Sequence, residues 1–102
     1  NDIYNTLYMV RLLLTDEIIG ALGLDGSKED LYLEYAILKK YRSKGYCLSL
    51  IKELLERIKE DTTQISLLID RDNEPSKCLA LRAGFEKVCE DEYNYDKYQI
   101  KS

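Results

Sequence analysis

The feature that most constrains this chain is a double change of apolar periodicity between residues 31 and 69. Leu31 to Leu38 is a strand-like apolar run. Leu48, Ile51, Leu54, Leu55 and Ile58 then recur at helical spacing, with Lys52, Glu53, Glu56 and Arg57 on the opposite face. Glu53 and Arg57 form a favourable i,i+4 pair, and the pattern predicts a helix over 45–59. Ile65 to Ile69 is nearly all apolar, as a strand buried on both faces would be. A helix carried between two strands is the crossover that parallel pairing requires.

On either side the pattern is simpler. Leu7 to Leu14 reads as a strand broken by Arg11, and Thr15-Asp16-Glu17 as a turn. Ile18 to Leu24 reads as a second strand, where Gly20 and Gly23 mark a bulge or a close backbone approach. Asp25-Gly26-Ser27 is a turn, so the first three strands form an antiparallel meander. Asp72-Asn73-Glu74-Pro75 opens a second helix that Gly84 ends as a left-handed cap. Phe85 to Cys89 and Tyr93 to Ile100 read as the last strands. The whole is an α/β chain of the α+β type, a mixed and largely antiparallel sheet with two main helices in one domain over residues 1–102.

Between the third strand and the first helix lies Tyr41-Arg42-Ser43-Lys44-Gly45-Tyr46-Cys47. A helix N-terminus presents unpaired N–H groups and a partial positive charge. A glycine there lets the backbone approach an anion, so the loop is suited to a phosphate. Lys39, Lys40, Arg42 and Lys44 cluster here although the net charge is −4, a balance that argues against general nucleic-acid binding. Histidine is absent and Cys47, Cys78 and Cys89 are widely spaced, which disfavours a zinc site, a disulfide framework and Ser-His or Cys-His catalysis. A reduced, cytoplasmic setting fits these thiols. No apolar run approaches the length of a membrane span.

These residues resemble the GNAT superfamily of N-acetyltransferases. The family's phosphate loop reads Arg/Gln-x-x-Gly-x-Gly/Ala, and Arg42-Ser43-Lys44-Gly45-Tyr46-Cys47 fits it with Cys47 in the small-residue place. A second family pattern, an Asn after the next strand and a Gly-Phe closing the following helix, is matched by Asn73, Gly84 and Phe85. The resemblance implies an acyl-CoA N-acyltransferase fold and acetyl-CoA as co-substrate, with no metal. It implies that backbone groups of Tyr35, Ala36 and Ile37 pair with the pantetheine arm, much as an added strand would. Amides of Arg42, Ser43, Lys44, Gly45, Tyr46 and Cys47 would hold the pyrophosphate, and Asn73 would lie near the thioester. The acceptor would be an amine of a small molecule or peptide that attacks the thioester directly.

Two positions depart from the family. Ala80 stands where many members have a tyrosine that protonates the leaving thiolate, and Leu68 where many have a glutamate. Glu34 is the remaining candidate base, with Asp30 second, and Tyr93 and Tyr95 are aromatic groups that could approach the thioester. These departures keep a non-catalytic CoA-binding module, or an interaction domain with a degenerate site, as the alternative. The family also carries a strand and two helices ahead of the first strand, whereas only Asn1 to Thr6 precede it here. That implies an open acceptor site, one completed by a partner subunit, or a piece of a longer protein. Cys47 reads as a small residue with a conceivable reactive thiol, since a helix N-terminus lowers thiol pKa, and Cys78 and Cys89 read as core. Nine tyrosines are many for this length, and they suit half-buried packing, an acceptor wall or an oligomer interface. An exposed sheet edge points to a homodimer.

Overall fold

The computed structural model describes residues 4–42, 44–90 and 93–101. Its elements run β1 (Asn5–Arg11), β2 (Ile18–Gly26), β3 (Leu31–Ile37), a short 3-10 turn (Lys39–Tyr41), α1 (Tyr46–Ile58), β4 (Gln64–Asp70), α2 (Glu74–Arg82), β5 (Glu86–Glu90) and β6 (Tyr95–Lys101). The six strands form one sheet in the order β1-β2-β3-β4-β6-β5. The meander β1-β2-β3 is antiparallel, as its tight turns require. α1 carries the chain across, and β3 and β4 are parallel.

That parallel junction is short. Only Leu31 with Ile65 and Tyr32 with Ser66 are paired. Beyond Tyr32 the strands part, and residues 33–37 of β3 have no ladder partner on the β4 side. A V-shaped gap therefore opens toward the C-terminal ends of both strands, beside the N-termini of α1 and α2.

Both helices cover one face. Leu22, Leu24, Leu31, Leu33, Ile65, Leu67 and Ile69 from the sheet pack with Ile51 and Ile58 of α1 and Ala80 of α2. Phe85, 2% exposed, enters the same core directly after Gly84. Gly84 has φ 101°, and the amide of Phe85 returns to the Ala80 carbonyl at 2.9 Å, which closes α2 as the sequence suggests.

Four expectations change. Leu68 is 50% exposed, so β4 is not buried on both faces. Both helices pack on the side of Ile65, Leu67 and Ile69, and alternation turns Leu68 the other way. Cys78 and Cys89 are exposed rather than core, because Cys78 lies on the side of α2 that faces the open gap and Cys89 on an edge strand. β1 ends at Arg11, where a register shift breaks the ladder, and Leu13 and Leu14 are exposed in the turn that follows. Of Gly20 and Gly23 only Gly20 marks a close approach. A Cβ there would collide with the Ala36 carbonyl oxygen, whereas at Gly23 the nearest atom is 3.9 Å away.

A buried charge ties down the far end of the sheet. Asp96 on β6 is fully buried and accepts a hydrogen bond from Arg71 Nε at 3.1 Å. Lys77 of α2 and Lys87 of β5 lie 3.4 and 3.6 Å from its other oxygen. Burial pushes the carboxyl up, but Arg71, Lys87 and Lys77 outweigh it and hold it below its ordinary value of 3.8. A carboxyl lowered in the folded state contributes stability above 3.8 that is lost as pH falls through the folded value. Asp96→Asn is accordingly expected to lower Tm at pH 7, with the gap to wild type narrowing in a melting series taken below pH 4. A constant gap would mean that the charge of Asp96 carries none of the effect.

Candidate functional site

The V-shaped gap is one wall of a cleft of about 680 Å³. Tyr35, Ala36 and Ile37 line it from β3, Tyr41, Arg42, Gly45, Tyr46, Cys47 and Leu48 contribute from the loop and α1, and α2 closes it with Asn73, Pro75, Ser76, Cys78, Leu79 and Arg82.

The two helix N-termini that meet here differ. Gly45 is the cap of α1 in the left-handed region, φ 81°, and no side chain caps the helix. The first amide bonded back within the helix is that of Ser49, to the Gly45 carbonyl at 3.1 Å. The N–H groups of Tyr46, Cys47 and Leu48 precede it in a first turn without an acidic residue. α2 is closed by contrast. Asn73 Oδ1 accepts from the Ser76 amide at 3.2 Å, Pro75 has no N–H, and Glu74 adds a negative charge. The anion-seeking end is that of α1 alone.

The loop ahead of α1 is braced at both ends. Arg42 Nε donates to the Ile37 carbonyl at 2.9 Å, tying the loop to the end of β3. The Tyr41 hydroxyl donates a very short hydrogen bond to Glu17, in the β1–β2 turn, and Lys40 lies 3.7 Å from the same carboxylate oxygen. The Tyr41 bond, chiefly, holds the Glu17 carboxyl below its usual range and pushes the Tyr41 hydroxyl up. The Tyr41 ring is buried with Ile19 and Ile37, so the loop rests on the sheet through an apolar contact as well.

Most residues that the sequence singles out converge. Tyr35, Ala36, Ile37, Arg42, Gly45, Tyr46, Cys47 and Asn73 all line the cleft. Lys44 is exposed and is not in the lining, and Ser43 lies outside the described residues. Glu34 is exposed and also absent from the lining, since alternation along β3 turns it away from Tyr35. Asp30 is engaged elsewhere, accepting from Ser66 Oγ at 2.5 Å with Lys97 at 3.5 Å. Burial pushes its carboxyl up, yet Ser66, Gln64 and Lys97 together hold it low, which makes it a weak base. Burial also raises the Cys47 thiol to about 11, which leaves it neutral at physiological pH and argues against a reactive thiolate. Ala80 is fully buried in the core. Pro75, Ser76, Cys78, Leu79 and Arg82 were not singled out as site residues, although Pro75, Cys78, Leu79 and Arg82 at i, i+3, i+4 and i+7 mark one stripe of a helix.

The acetyltransferase (GNAT) domain family matches residues 2–86. The chain belongs to this family. Among solved structures it is similar to a GNAT family acetyltransferase from Elizabethkingia anophelis with acetyl-CoA bound, at TM-score 0.85 and 14% identity over 96% of this chain and 76% of that one. It is similar to a chimera of spermidine N-acetyltransferase SpeG from Vibrio cholerae and hSSAT, at TM-score 0.81 and 16% identity over 93% and 65%. Ribosomal-protein-S5-alanine acetyltransferase from Vibrio fischeri gives 0.80 and 14% over 93% and 60%. This chain spans less than two thirds of the last two. No curated protein sequence matches it. The acyl-CoA N-acyltransferase fold expected from the sequence is the fold observed. Among the described residues no helix is long and apolar enough to cross a membrane.

Proposed function

We propose that this GNAT domain transfers an acetyl group from acetyl-CoA to an amine of a small molecule or peptide by direct attack on the thioester. The observation that carries this is the uncapped N-terminus of α1 opening into the same cleft as the unpaired length of β3. The first suits a pyrophosphate and the second suits the amides of a pantetheine arm. Arg42 and Arg82 add two guanidinium groups on the lining, and the backbone from Arg42 to Cys47 is the cradle. Asn73 holds the start of α2 against the same cleft.

The protein's part in the reaction is to align the thioester with a neutral amine and to handle two protons. Glu34 is the base in this reading. It projects from the face of β3 opposite Tyr35, so an acceptor arriving from that side meets a carboxylate before it meets the thioester. Amine acceptors of both sizes occur among the structural neighbours, whose names specify spermidine and a ribosomal-protein alanine. The free thiols suit a cytoplasmic setting, and a homodimer covering the β1 edge belongs to the same reading.

Acetyl-CoA at 100 times its Kd is expected to stabilise the protein by about 2.7 kcal/mol through mass action. A thermal-shift titration reads this directly, and no shift at millimolar acetyl-CoA would sink the cofactor assignment. Thiol release over a panel of amines then separates the two remaining readings. Turnover that Glu34→Gln impairs is the expected result. Binding with no turnover on any amine would favour a non-catalytic CoA-binding module, a reading that the alanine at position 80 and the leucine at position 68 keep in view.

A further inference from the structure

Both helices cover the side of the sheet that carries Leu22 and Leu24, and among the described residues no helix packs on the other side. Apolar groups stand in the open there. Leu7 is 72% and Met9 56% exposed on β1, and Leu68 is exposed on β4. The ladders fix where these lie relative to the cleft. Leu7 pairs with Gly23 of β2, and Gly23 pairs with Glu34 of β3. Directly paired residues share a face, and Leu22 and Leu24 flank Gly23 on the core side, so all three lie on the open side. A Cβ at Gly23 would lie 3.9 Å from Glu34 Cβ and 4.0 Å from Leu7 Cδ1, so the missing side chain leaves a notch between a carboxylate and a leucine. Leu68 is two residues beyond Ser66 as Glu34 is two beyond Tyr32, so it faces Glu34 across the gap.

This row is continuous with the cleft. No hydrogen bonds close the sheet between residues 33–37 of β3 and β4, and Ala36 lines the cleft with Tyr35 and Ile37 although alternation turns it to the open side. The charges beside the gap are unequal. At its closed end Lys97 Nζ lies 5.2 Å from the centroid of the Tyr32 ring and 3.5 Å from Asp30, so a cation already stands there with its counterion. Asp25, paired with Tyr32 on the same side, turns Oδ1 to the Gly26 amide at 2.9 Å. Glu34 is left to attract one ammonium group, and a second would meet Lys97 or the apolar carbon of Leu7. We propose that the acceptor is a primary amine on an apolar chain, with its nitrogen at Glu34 and its chain in the Gly23 notch against Leu7, an inference that rests on the acetyltransferase reading. From β3 to β1 is roughly 10 Å at the usual strand spacing, a distance that an extended hexyl chain covers. Gly23 and Leu7 set specificity in this arrangement, since they touch the chain and not the reacting atoms.

Hexylamine and the diamine of the same length differ only in a terminal ammonium group. With wild type, kcat/KM for CoA release is expected to rise about threefold per methylene from propylamine to hexylamine, and hexylamine should exceed the diamine by about tenfold or more. Gly23→Val fills the notch with a residue that strands favour. It should lower the hexylamine-to-ethylamine ratio of kcat/KM about tenfold while the Kd for acetyl-CoA stays that of wild type, and its Tm reports whether the sheet is intact. Leu7→Ser removes the wall at an exposed position and should lower the same ratio about threefold. A flat response to chain length, or a preference for the diamine, would overturn the inference and leave the acetyltransferase reading standing. A ratio unmoved in both variants would overturn the assignment to this notch. A dimer that Leu7→Ser dissociates, seen by light scattering, would give the face to a second copy and overturn it likewise. Failure of the wild type to release CoA with any amine would instead sink the underlying reading.

Discussion

Gly45→Glu is expected to raise the Kd for acetyl-CoA at least 100-fold, roughly 2.8 kcal/mol. Three features of the site combine. Gly45 has φ 81°, a conformation that any side chain adopts under strain. A Cβ built there meets no protein atom within 4 Å, so a side chain would project into open space at the mouth of the cleft. A carboxylate in that place would compete for the N–H groups of the α1 first turn and repel the pyrophosphate meant for them. Gly45→Ala separates strain from charge. It carries the same backbone penalty, about 1 kcal/mol of stability, without the anion. Calorimetric titration of both variants decides the matter, since an unaltered affinity in Gly45→Glu would remove the pyrophosphate from this loop.

Gly20→Ala should be the most damaging small substitution in the sheet, at about 3 kcal/mol of stability. With a Tm change of about 4–8 °C per kcal/mol in a domain of this size, the expected loss is on the order of 12–24 °C. The new methyl would overlap the Ala36 carbonyl oxygen and lie 3.0 Å from Ile37 Cδ1. Backbone cannot rotate away as a side chain can, so β2 and β3 must separate where Gly20 pairs with Ile37. Ala36 and Ile37 also line the cleft, and the same displacement should weaken acetyl-CoA binding. Gly23→Ala is the control, because its Cβ would make ordinary contacts. Equal melting temperatures for the two variants would show that the strands yield at Gly20 at little cost.

Periodicity carried the fold a long way. The helix of Leu48, Ile51, Leu54, Leu55 and Ile58, the caps at Asn73 and Gly84 and the parallel crossover all follow from local spacing and backbone chemistry, and the structure has each of them. Leu68 shows where that reading fails. An apolar run reports that a strand is central but not whether both faces are covered, and coverage depends on elements elsewhere in the chain. Cys78 and Cys89 fail for a related reason, since small thiols sit equally well on a helix exterior or an edge strand. At the site, the loop and Asn73 were legible as motifs. The α2 stripe from Pro75 to Arg82 was not, because a stripe facing a cleft and one facing a core have the same spacing. Tyr35 was legible through its backbone and as one of the many tyrosines, but the burial of its hydroxyl is a fact of three-dimensional packing.

The two-pair junction between β3 and β4 divides the sheet into two three-stranded antiparallel units. Each is built from pairings of its own and could open as a separate cooperative unit, with the shared core under α1 as the principal bond between them. The seam is therefore the weakest line in the sheet, and the cleft lies along it. A molecule that pairs with the open length of β3 and also touches α2 would join the halves where the polypeptide leaves them apart. Opening of one unit independently of the other then becomes a property of the ligand-free protein, and occupancy of the cleft sets how far the domain behaves as one body.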